Sequence, residues 1–533
     1  MEKTTFGAML DLSRNAVMTP SEIKKFAKVL KSFGYNAIYL YTEDTYEITE
    51  EPYFGYLRGR LSKDEIKGIV SYCDSIEMEV IPCIQTLAHL NQMFRWPYAY
   101  ARVRDTNDIL LVDEDRTYEL IERMFKTARE CYKTDVINIG MDEAHMLGRG
   151  KYLDVHGYTD RFTLLVKHLK RIMELAEKYG FKPTMWSDMF FRIKNGGNYY
   201  LDKCDKKMLD EIKPLVPDGV TLCYWDYDHD YKKHYDLNIK AHKAISNDIA
   251  FAGAVQSFMG FAPYNKLSIK RTGVAMDSCR EQGIKTVLIT MWGDDGKECS
   301  FYSCLPALLY MKERYDGNKS LADIKKKFYD IIGVPFDDFI KLDTVNQVGG
   351  ECVGSIAKSL LFNDPFCGVL DGHISLGDGK VYKGYANKLA AAEKRAHEYA
   401  YIFEAIKNLA KVLELKLDLS VKTRKAYQEK DNDELKRIAN KVYPVLLKRL
   451  DVFYRSFCNL WEKENKPFGF EVQDIRIGGL RQRLIHYQST LNEYLKGKIQ
   501  TIEELEGKIL PFVPGMGYKV TTHYNGAVTA NIL

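Results

Sequence analysis

Residues 137–150 read INIGMDEAHMLGRG. A short apolar run stops at Gly140, and two adjacent acids follow, Asp142 and Glu143, then His145. Neighbouring carboxylates can divide acid–base work, because like charges held close push their pKa values apart. They can also simply begin a loop and cap the next helix, the plainer reading for such a pair taken alone. Two other chemistries share these letters. DEAH is a helicase ATPase motif, but that chemistry needs an upstream phosphate loop, G-x-x-x-x-G-K-[ST]. The Gly-Lys pairs at 296–297, 379–380, 497–498 and 507–508 are not followed by Ser or Thr, so this reading fails. Asp142, Glu143 and His145 could ligate a cation. No second cluster of ligand spacing accompanies them, so no metal and no cofactor is expected.

A second pattern weakens the plain reading. Trp186, Trp225 and Trp292 are three of only five tryptophans, and each closes an apolar run. Each also has an acid one or two positions later: Asp188, Asp226 and Asp294. The repetition points to an aromatic-walled pocket with polar hooks. A protein grips a sugar that way, with ring faces on aromatics and hydroxyls on carboxylates or a guanidinium. Arg14 in MLDLSR, and Gln85 and His89 in IQTLAH, fall at comparable places.

Such residues need a scaffold that brings strand ends together. Apolar runs at 5–11, 35–41, 79–84, 135–140, 182–186, 219–225, 249–255 and 284–292 read as strands. Amphipathic stretches lie between them, at 21–33, from Ser62 to about 77, and at 118–132, 161–179, 235–246 and 267–282. Ser62 and Glu65 have the spacing of a capping box. Continuous rather than alternating apolar strands imply burial on both faces, as in parallel sheets. Eight βα units predict an α/β fold, a (β/α)8 TIM barrel over 1–315, with function at the strand ends. From 316 to 533 the texture becomes mainly helical, a C-terminal domain packed on the barrel. Apolar residues every three or four positions predict one long helix over 385–419, and further helices over 421–463 and 478–507. The polar, glycine-punctuated 465–483 reads first as a helix-joining loop, and second as an interdomain or homodimer contact. The stretch 511–533 reads as extended.

Composition limits the partners. The 533 residues carry 77 basic and 73 acidic side chains, a formal charge of +4, with no block of either sign. That supplies no argument for nucleic acid. No apolar run approaches the roughly 20 residues of a membrane span. The 11 cysteines include no C-x-x-C, and MEKTTFGAMLDL lacks the layout of a signal peptide. Reduced thiols, and hence a cytoplasmic protein, are the expectation.

Four motifs in order, GAMLDLSR, GMDEAH, TMWSD and TMWGDD, carry a resemblance to the glycoside hydrolase family 20 β-N-acetylhexosaminidases. The likeness is strongest to a bacterial branch with a helical C-terminal domain. It covers about residues 5–315. It implies an exo-acting enzyme that releases terminal β-linked GlcNAc or GalNAc from glycans by a retaining, substrate-assisted route. In that route Glu143 is the general acid and then the base. The substrate's 2-acetamido oxygen attacks the anomeric carbon, and Asp142 steadies the oxazolinium-like intermediate. Arg14, His89 and Asp294 would bind sugar and support the acids. Trp186, Trp225 and Trp292 would box the acetamido group, and Tyr227 would hold its oxygen. Strand alternation sets Tyr227 on the same side as Trp225. Three departures stand out. Gln85 occupies a position where the family usually has Asp, and Asp294 one where it usually has Glu. The family often carries a small α/β domain ahead of the barrel, whereas residue 5 here already starts the first strand. The alternatives are an O-GlcNAcase-like enzyme, disfavoured because those use an Asp-Asp pair, and a non-catalytic amino-sugar-binding protein, disfavoured by Glu143.

Overall fold

The computed structural model describes residues 4–348, 354–519 and 522–532. Eight parallel strands close into a barrel in sequence order. They are β1 (Thr5–Asp11), β2 (Ala37–Tyr41), β3 (Glu79–Cys83), β4 (Val136–Asn138), β5 (Lys182–Trp186), β6 (Thr221–Trp225), β7 (Ile249–Ala254) and β8 (Thr286–Met291). The seam joins β1 to β8, with Phe6 opposite Val287 and Leu10 opposite Met291.

Both faces of each strand are buried, as the continuous apolar runs predict. Along β2, Ala37, Tyr39 and Tyr41 join a cluster with Met9, Ile81, Cys83, Cys223 and Leu288, in the barrel lumen. Ile38 and Leu40 belong instead to the core shared with the helices. A Cβ at Gly7 would lie 2.5 Å from the Tyr39 ring, so the lumen has no room for a side chain there. The lumen cluster includes Trp186, and Trp225 and Trp292 pack against it. The barrel's interior packing therefore runs straight into the aromatic residues at the strand ends.

Helices Pro20–Ser32, Lys63–Ser75, Asp115–Cys131, Arg161–Lys178, Lys232–Ile245 and Asn265–Glu281 surround the barrel, and Ser62 and Glu65 form the capping box. Short helices at Lys151–His156, Asp188–Lys194 and Lys206–Ile212 span too few turns for hydrophobic periodicity to reveal them.

From Leu305 onward the chain is mainly helical. The single helix expected over 385–419 is two, Val381–Glu393 and Ala400–Lys416, parted by a turn in which His397 has φ +46°. The apolar spacing persists across the break because Leu389, Ala392, Ala396 and Ile402 all reach one core. The segment expected as a loop over 465–483 is mostly helix, Phe470–Leu495. Gln473, Ile477, Leu480, Leu484, Tyr487 and Leu491 form its buried stripe. Its Gly478 and Gly479 would accept a Cβ with nothing within 4 Å, so nothing in the structure requires glycine there. The stretch read as extended over 511–533 contains a short helix, Tyr524–Val528. The described cysteines are unpaired. No helix among the described residues is long and apolar enough to cross a membrane.

Barrel and helical region are joined along the start of the first barrel helix. Thr19 N–H donates to Glu464 O, Lys466 N–H donates to Val17 O, and Met18 bridges Asn465. The buried Glu464 carboxylate accepts from Ser300 (2.5 Å) and Tyr401 (2.8 Å) hydroxyls, tying the β8 side of the barrel to the helices.

Candidate active site

A pocket of about 190 Å³ opens at the C-terminal ends of the strands, lined by Arg14, Tyr41, His89, Asp142, Glu143, Trp186, Trp225, Tyr227, Phe258, Trp292 and Asp294. It holds Asp142, Glu143 and the seven residues that the resemblance implied around them, together with Tyr41 and Phe258, whereas Gln85, Asp188 and Asp226 lie outside its lining. Its volume is below the roughly 300–1,000 Å³ of drug-sized sites, in the range of one small ring.

β4 stops at Asn138, and the backbone then enters the left-handed region at Gly140 (φ +71°), Met141 (+71°) and Glu143 (+51°). In a regular strand Asp142 and Glu143 would face opposite ways. The left-handed turns bring both onto the pocket wall. A Cβ at Gly140 would sit 2.0 Å from Gln85 Oε1, so this turn needs glycine for space as well as for φ.

Asp142 is the deeper acid. Gln85 Nε2 donates to its Oδ1 at 2.8 Å, and His89 Nε2 lies 3.1 Å from its Oδ2. Burial alone would raise the Asp142 pKa, but the His89 charge, with the hydrogen bonds of His89 and Gln85, brings it below the ordinary aspartate value. Burial alone would depress His89. The Asp142 charge, with help from Glu43, lifts it to about 10 instead. The lowering of Asp142 thus comes from His89 and Gln85, not from the repulsion between neighbouring acids that the sequence suggests. His89 is 3.8 Å from Glu143 Oε2, so it couples foremost to Asp142. Gln85, which stands where the family usually has Asp, spans Tyr41 OH, Asp142 and the Met141 N–H.

Glu143 is the more open acid, its side chain 41% exposed. Its N–H donates to Asp188 Oδ2 at 3.1 Å, and its Oε1 lies 3.6 Å from Arg192 Nη2. Arg192 Nε in turn donates to Asp188 Oδ2 at 3.0 Å. Burial and the nearby Asp142 charge raise Asp188 to about 7. Arg192 lies on a seven-residue helix that the sequence reading missed, one turn beyond the Trp186–Asp188 motif.

The walls are aromatic. Trp186 and Trp292 ring centroids lie 6.0 Å apart, Tyr41 meets Trp292 edge-on at 4.8 Å, and Trp225 stacks on Tyr227 at 5.2 Å. Trp292 Nε1–H donates to Tyr227 OH at 3.0 Å. On the β1–β8 side, Arg14 Nη2 pairs with the buried Glu43 at 3.1 Å, and Arg14 Nε is 4.0 Å from both Asp11 and Asp294. Arg14 Nε and Trp186 Nε1 are buried donors without a hydrogen-bond partner.

The three Trp–acid pairs do not play one part. Asp294 lines the pocket. Asp188 and Asp226 are fully buried, so neither is a hook for substrate. Asp226 accepts from Tyr224 OH and Asp228 N–H, and sits 3.0 Å from both His229 Nδ1 and His234 Nε2. A second cluster with metal-ligand geometry therefore exists, contrary to the sequence reading, its ligand atoms within 4.8 Å of one another. Its hydrogen bonds already account for it as a brace of the β6 loop. His145 is exposed and lies outside the pocket lining.

Residues 6–247 match the glycosyl hydrolase family 20 catalytic domain, and residues 337–522 match the glycoside hydrolase 20C C-terminal domain. The chain belongs to glycoside hydrolase family 20. This family-20 chain is 24% identical to hexosaminidase D of Homo sapiens over 241 residues, 42% of this chain and 45% of that protein. It is 25% identical to hexosaminidase D of Bos taurus over 254 residues, 45% of this chain and 67% of that one. The match thus spans less than half of the human relative's length. Among solved structures, a β-N-acetylhexosaminidase from Bacteroides fragilis aligns with TM-score 0.47 at 18% identity, covering 62% of this chain and 69% of that one. An exo-β-N-acetylglucosaminidase from Vibrio harveyi aligns with TM-score 0.48 at 13% identity, covering 64% and 59%.

Proposed function

We propose that this family-20 chain is an exo-acting β-N-acetylhexosaminidase that releases terminal β-linked GlcNAc or GalNAc with retention, by substrate-assisted catalysis. One observation carries the reading. Asp142 and Glu143 reach a one-ring pocket from adjacent positions, while the further carboxylate at the pocket, Asp294, is placed towards Arg14. Most retaining glycosidases set an acid and a nucleophile about 5 Å apart across the bond, and family 20 is a stated exception in which the substrate supplies the nucleophile. Adjacent acids suit the exception.

The roles follow from position. Glu143, the open acid, protonates the glycosidic oxygen. The acetamido oxygen attacks the anomeric carbon from the other face and the leaving group departs. Asp142, held ionised by His89 and Gln85, accepts the acetamido N–H and balances the positive charge of the oxazolinium. Fixed charge of this kind, aimed at charge that develops in the transition state, is worth most in a water-poor site. Tyr227 OH accepts a hydrogen bond from Trp292 Nε1–H, which leaves its own O–H free to donate to the acetamido oxygen. Glu143 then removes a proton from water, which opens the oxazolinium and restores the starting configuration. Trp186, with Trp225 and Trp292, closes the floor and sides, which favours exo action. Arg14 Nε and Trp186 Nε1, buried donors without partners, suit ligand oxygens. Asp294, shorter than the family's usual Glu, leaves more room at the sugar's C4 and C6 hydroxyls and suits tolerance of both GlcNAc and GalNAc.

Chromogenic β-GlcNAc and β-GalNAc substrates test the reading. The wild type should turn over at least one. Glu143→Gln should lose roughly 10²–10⁴-fold in kcat, the scale of a lost general acid–base group, while still binding a thiazoline mimic of the oxazolinium. No turnover of either substrate between pH 4 and 8 would sink the proposal.

A further inference from the structure

Glu143 stands just past the end of β4 on left-handed backbone (φ +51°), and its carboxyl is the open one of the pair. We infer that Arg192, which lies outside the pocket lining, is a positioning residue for Glu143: it aims the carboxyl at the bond to be cut by tying it to the Trp225 wall. The inference rests on the hydrolase reading above and adds to it the group that holds the general acid in place.

An open glutamate keeps much of its rotamer freedom, and water competes for its oxygens, so without a partner it is poorly aimed. His89 does not supply the aim, because it stands 3.1 Å from Asp142 and only 3.8 Å from Glu143 Oε2. Arg192 Nη2 faces the other oxygen, Oε1, at 3.6 Å. That distance is longer than a hydrogen bond. Such a contact orients the carboxyl by charge and leaves it free to give and take a proton. The guanidinium is itself held on several sides. Its Nε–H donates to Asp188 Oδ2 at 3.0 Å and its Nη1–H to Gly197 O at 3.3 Å. Asp188 Oδ2 also accepts the Glu143 N–H at 3.1 Å, so one oxygen fixes both the backbone of Glu143 and the cation facing its side chain. The guanidinium carbon stands 5.6 Å from the Tyr199 ring and 5.7 Å from the Trp225 ring, within cation–π range. Tyr199 OH in turn accepts the Trp225 N–H at 3.0 Å. Acid and acetamido box therefore share one frame, which sets the proton donor against the attacking oxygen.

The competing account makes Arg192 a strut. Asp188 is fully buried, and Arg192 is its counter-ion one helical turn on. On that account Arg192 only keeps helix Asp188–Lys194 in place, and its loss lowers every activity alike.

Two glycosides that differ only in the leaving group separate the accounts. 2,4-Dinitrophenyl β-GlcNAc releases a stable phenolate without a proton. Phenyl β-GlcNAc releases a phenol of pKa about 10, as tyrosine has, and needs the acid. Misalignment of about 1 Å costs about 10²-fold. We expect Arg192→Gln to lower kcat/KM for the phenyl glycoside about 10–100-fold, and for the dinitrophenyl glycoside by less than about threefold. Measuring both in one preparation cancels any change in the folded fraction. Arg192→Lys keeps the charge and loses the planar fork, so it should recover part of the loss on the phenyl glycoside. Glu143→Gln sets the scale, with a larger loss that again falls mainly on the phenyl glycoside. Equal falls for the two glycosides in Arg192→Gln, or no fall, beside a selective Glu143→Gln, would overturn the inference and leave the hydrolase reading intact. A Glu143→Gln that affects both glycosides alike, or a wild type that turns over neither, would end both.

Discussion

At the scale of single residues the site depends on keeping Asp142 charged within a protein interior. A buried carboxylate favours its neutral form unless donors and a cation outweigh the lost solvation. Here Gln85 and His89 outweigh it. Asp142→Asn keeps the shape and removes the charge, so kcat should fall roughly 10²–10³-fold, as when an electrostatic partner of the transition state is lost. A steady-state comparison showing a smaller fall in kcat than in 1/KM would contradict that role. The same pair makes a prediction about stability. His89 is raised from 6.5 to about 10, so its contribution is full below pH 6.5 and is lost as pH rises through about 10. Asp142 is lowered from 3.8, so its contribution is present above that pH and is lost as pH falls through the folded value. Urea unfolding of wild type and His89→Gln should therefore differ most between about pH 4 and 6.5, and the gap should narrow toward pH 10. A constant gap from pH 6 to 10 would refute the coupling. The sequence reveals Asp142, Glu143 and the tryptophans because their types are rare in apolar strand ends. It does not reveal Asp188, Glu43 or Arg192 as supports. Their importance comes from which atoms they face after the barrel closes, and their spacing carries no sign of that.

At the scale of elements, the decisive feature is how β4 ends. Eight strands are legible because residues buried on both faces write continuous apolar runs. The sequence also offers Gly140 as a stop. It says nothing of the left-handed turns at Met141 and Glu143, where non-glycine residues hold strained backbone. Such strain costs of order 1–3 kcal/mol per residue and persists because the surroundings over-determine it. Gly140→Ala should test this directly. Its methyl would meet Gln85 Oε1 at 2.0 Å, displacing the amide that holds Asp142. Stability should fall by about 1–3 kcal/mol, and kcat should fall more than tenfold in the fraction that stays folded. A variant with lowered Tm and unaltered kcat would show that Gln85 does not position Asp142. The misread helical region teaches the complementary lesson. Periodicity reports the buried stripe, so it joins 385–419 across a turn, and the polar, glycine-containing stretch before 480 hides only the first two turns of Phe470–Leu495, a helix expected from 478.

At the scale of the whole molecule, the helical region takes hold of the barrel beside Asp294. Lys358, almost fully buried, lies 2.9 Å from Asp295 and 2.8 Å from Glu298. Arg476, from the segment first read as a loop, pairs with the same two acids at 3.2 and 3.1 Å, and its Nη1 donates to Asp295 O. Gln473 donates to Gly296 O and Tyr524 N–H to Asp295 Oδ2. All four partners grip the loop that follows β8, one residue past Asp294. Its position opposite Arg14 is therefore set by residues more than sixty positions downstream. Removing one member of a buried charge network leaves its partners uncompensated and costs about 3–5 kcal/mol. Lys358→Met should accordingly destabilise the fold strongly, visible as a drop in Tm. Arg476→Ala is the finer probe, because Lys358 still neutralises the loop. Asp294 would contact hydroxyls away from the bond that breaks, and such contacts bind ground and transition state alike. Losing them raises KM and leaves kcat nearly unchanged. Arg476→Ala should thus raise KM for a chromogenic GlcNAc substrate several-fold with kcat within twofold of wild type. If KM holds and kcat falls, the clasp acts on the catalytic pair instead, through a route other than Asp294.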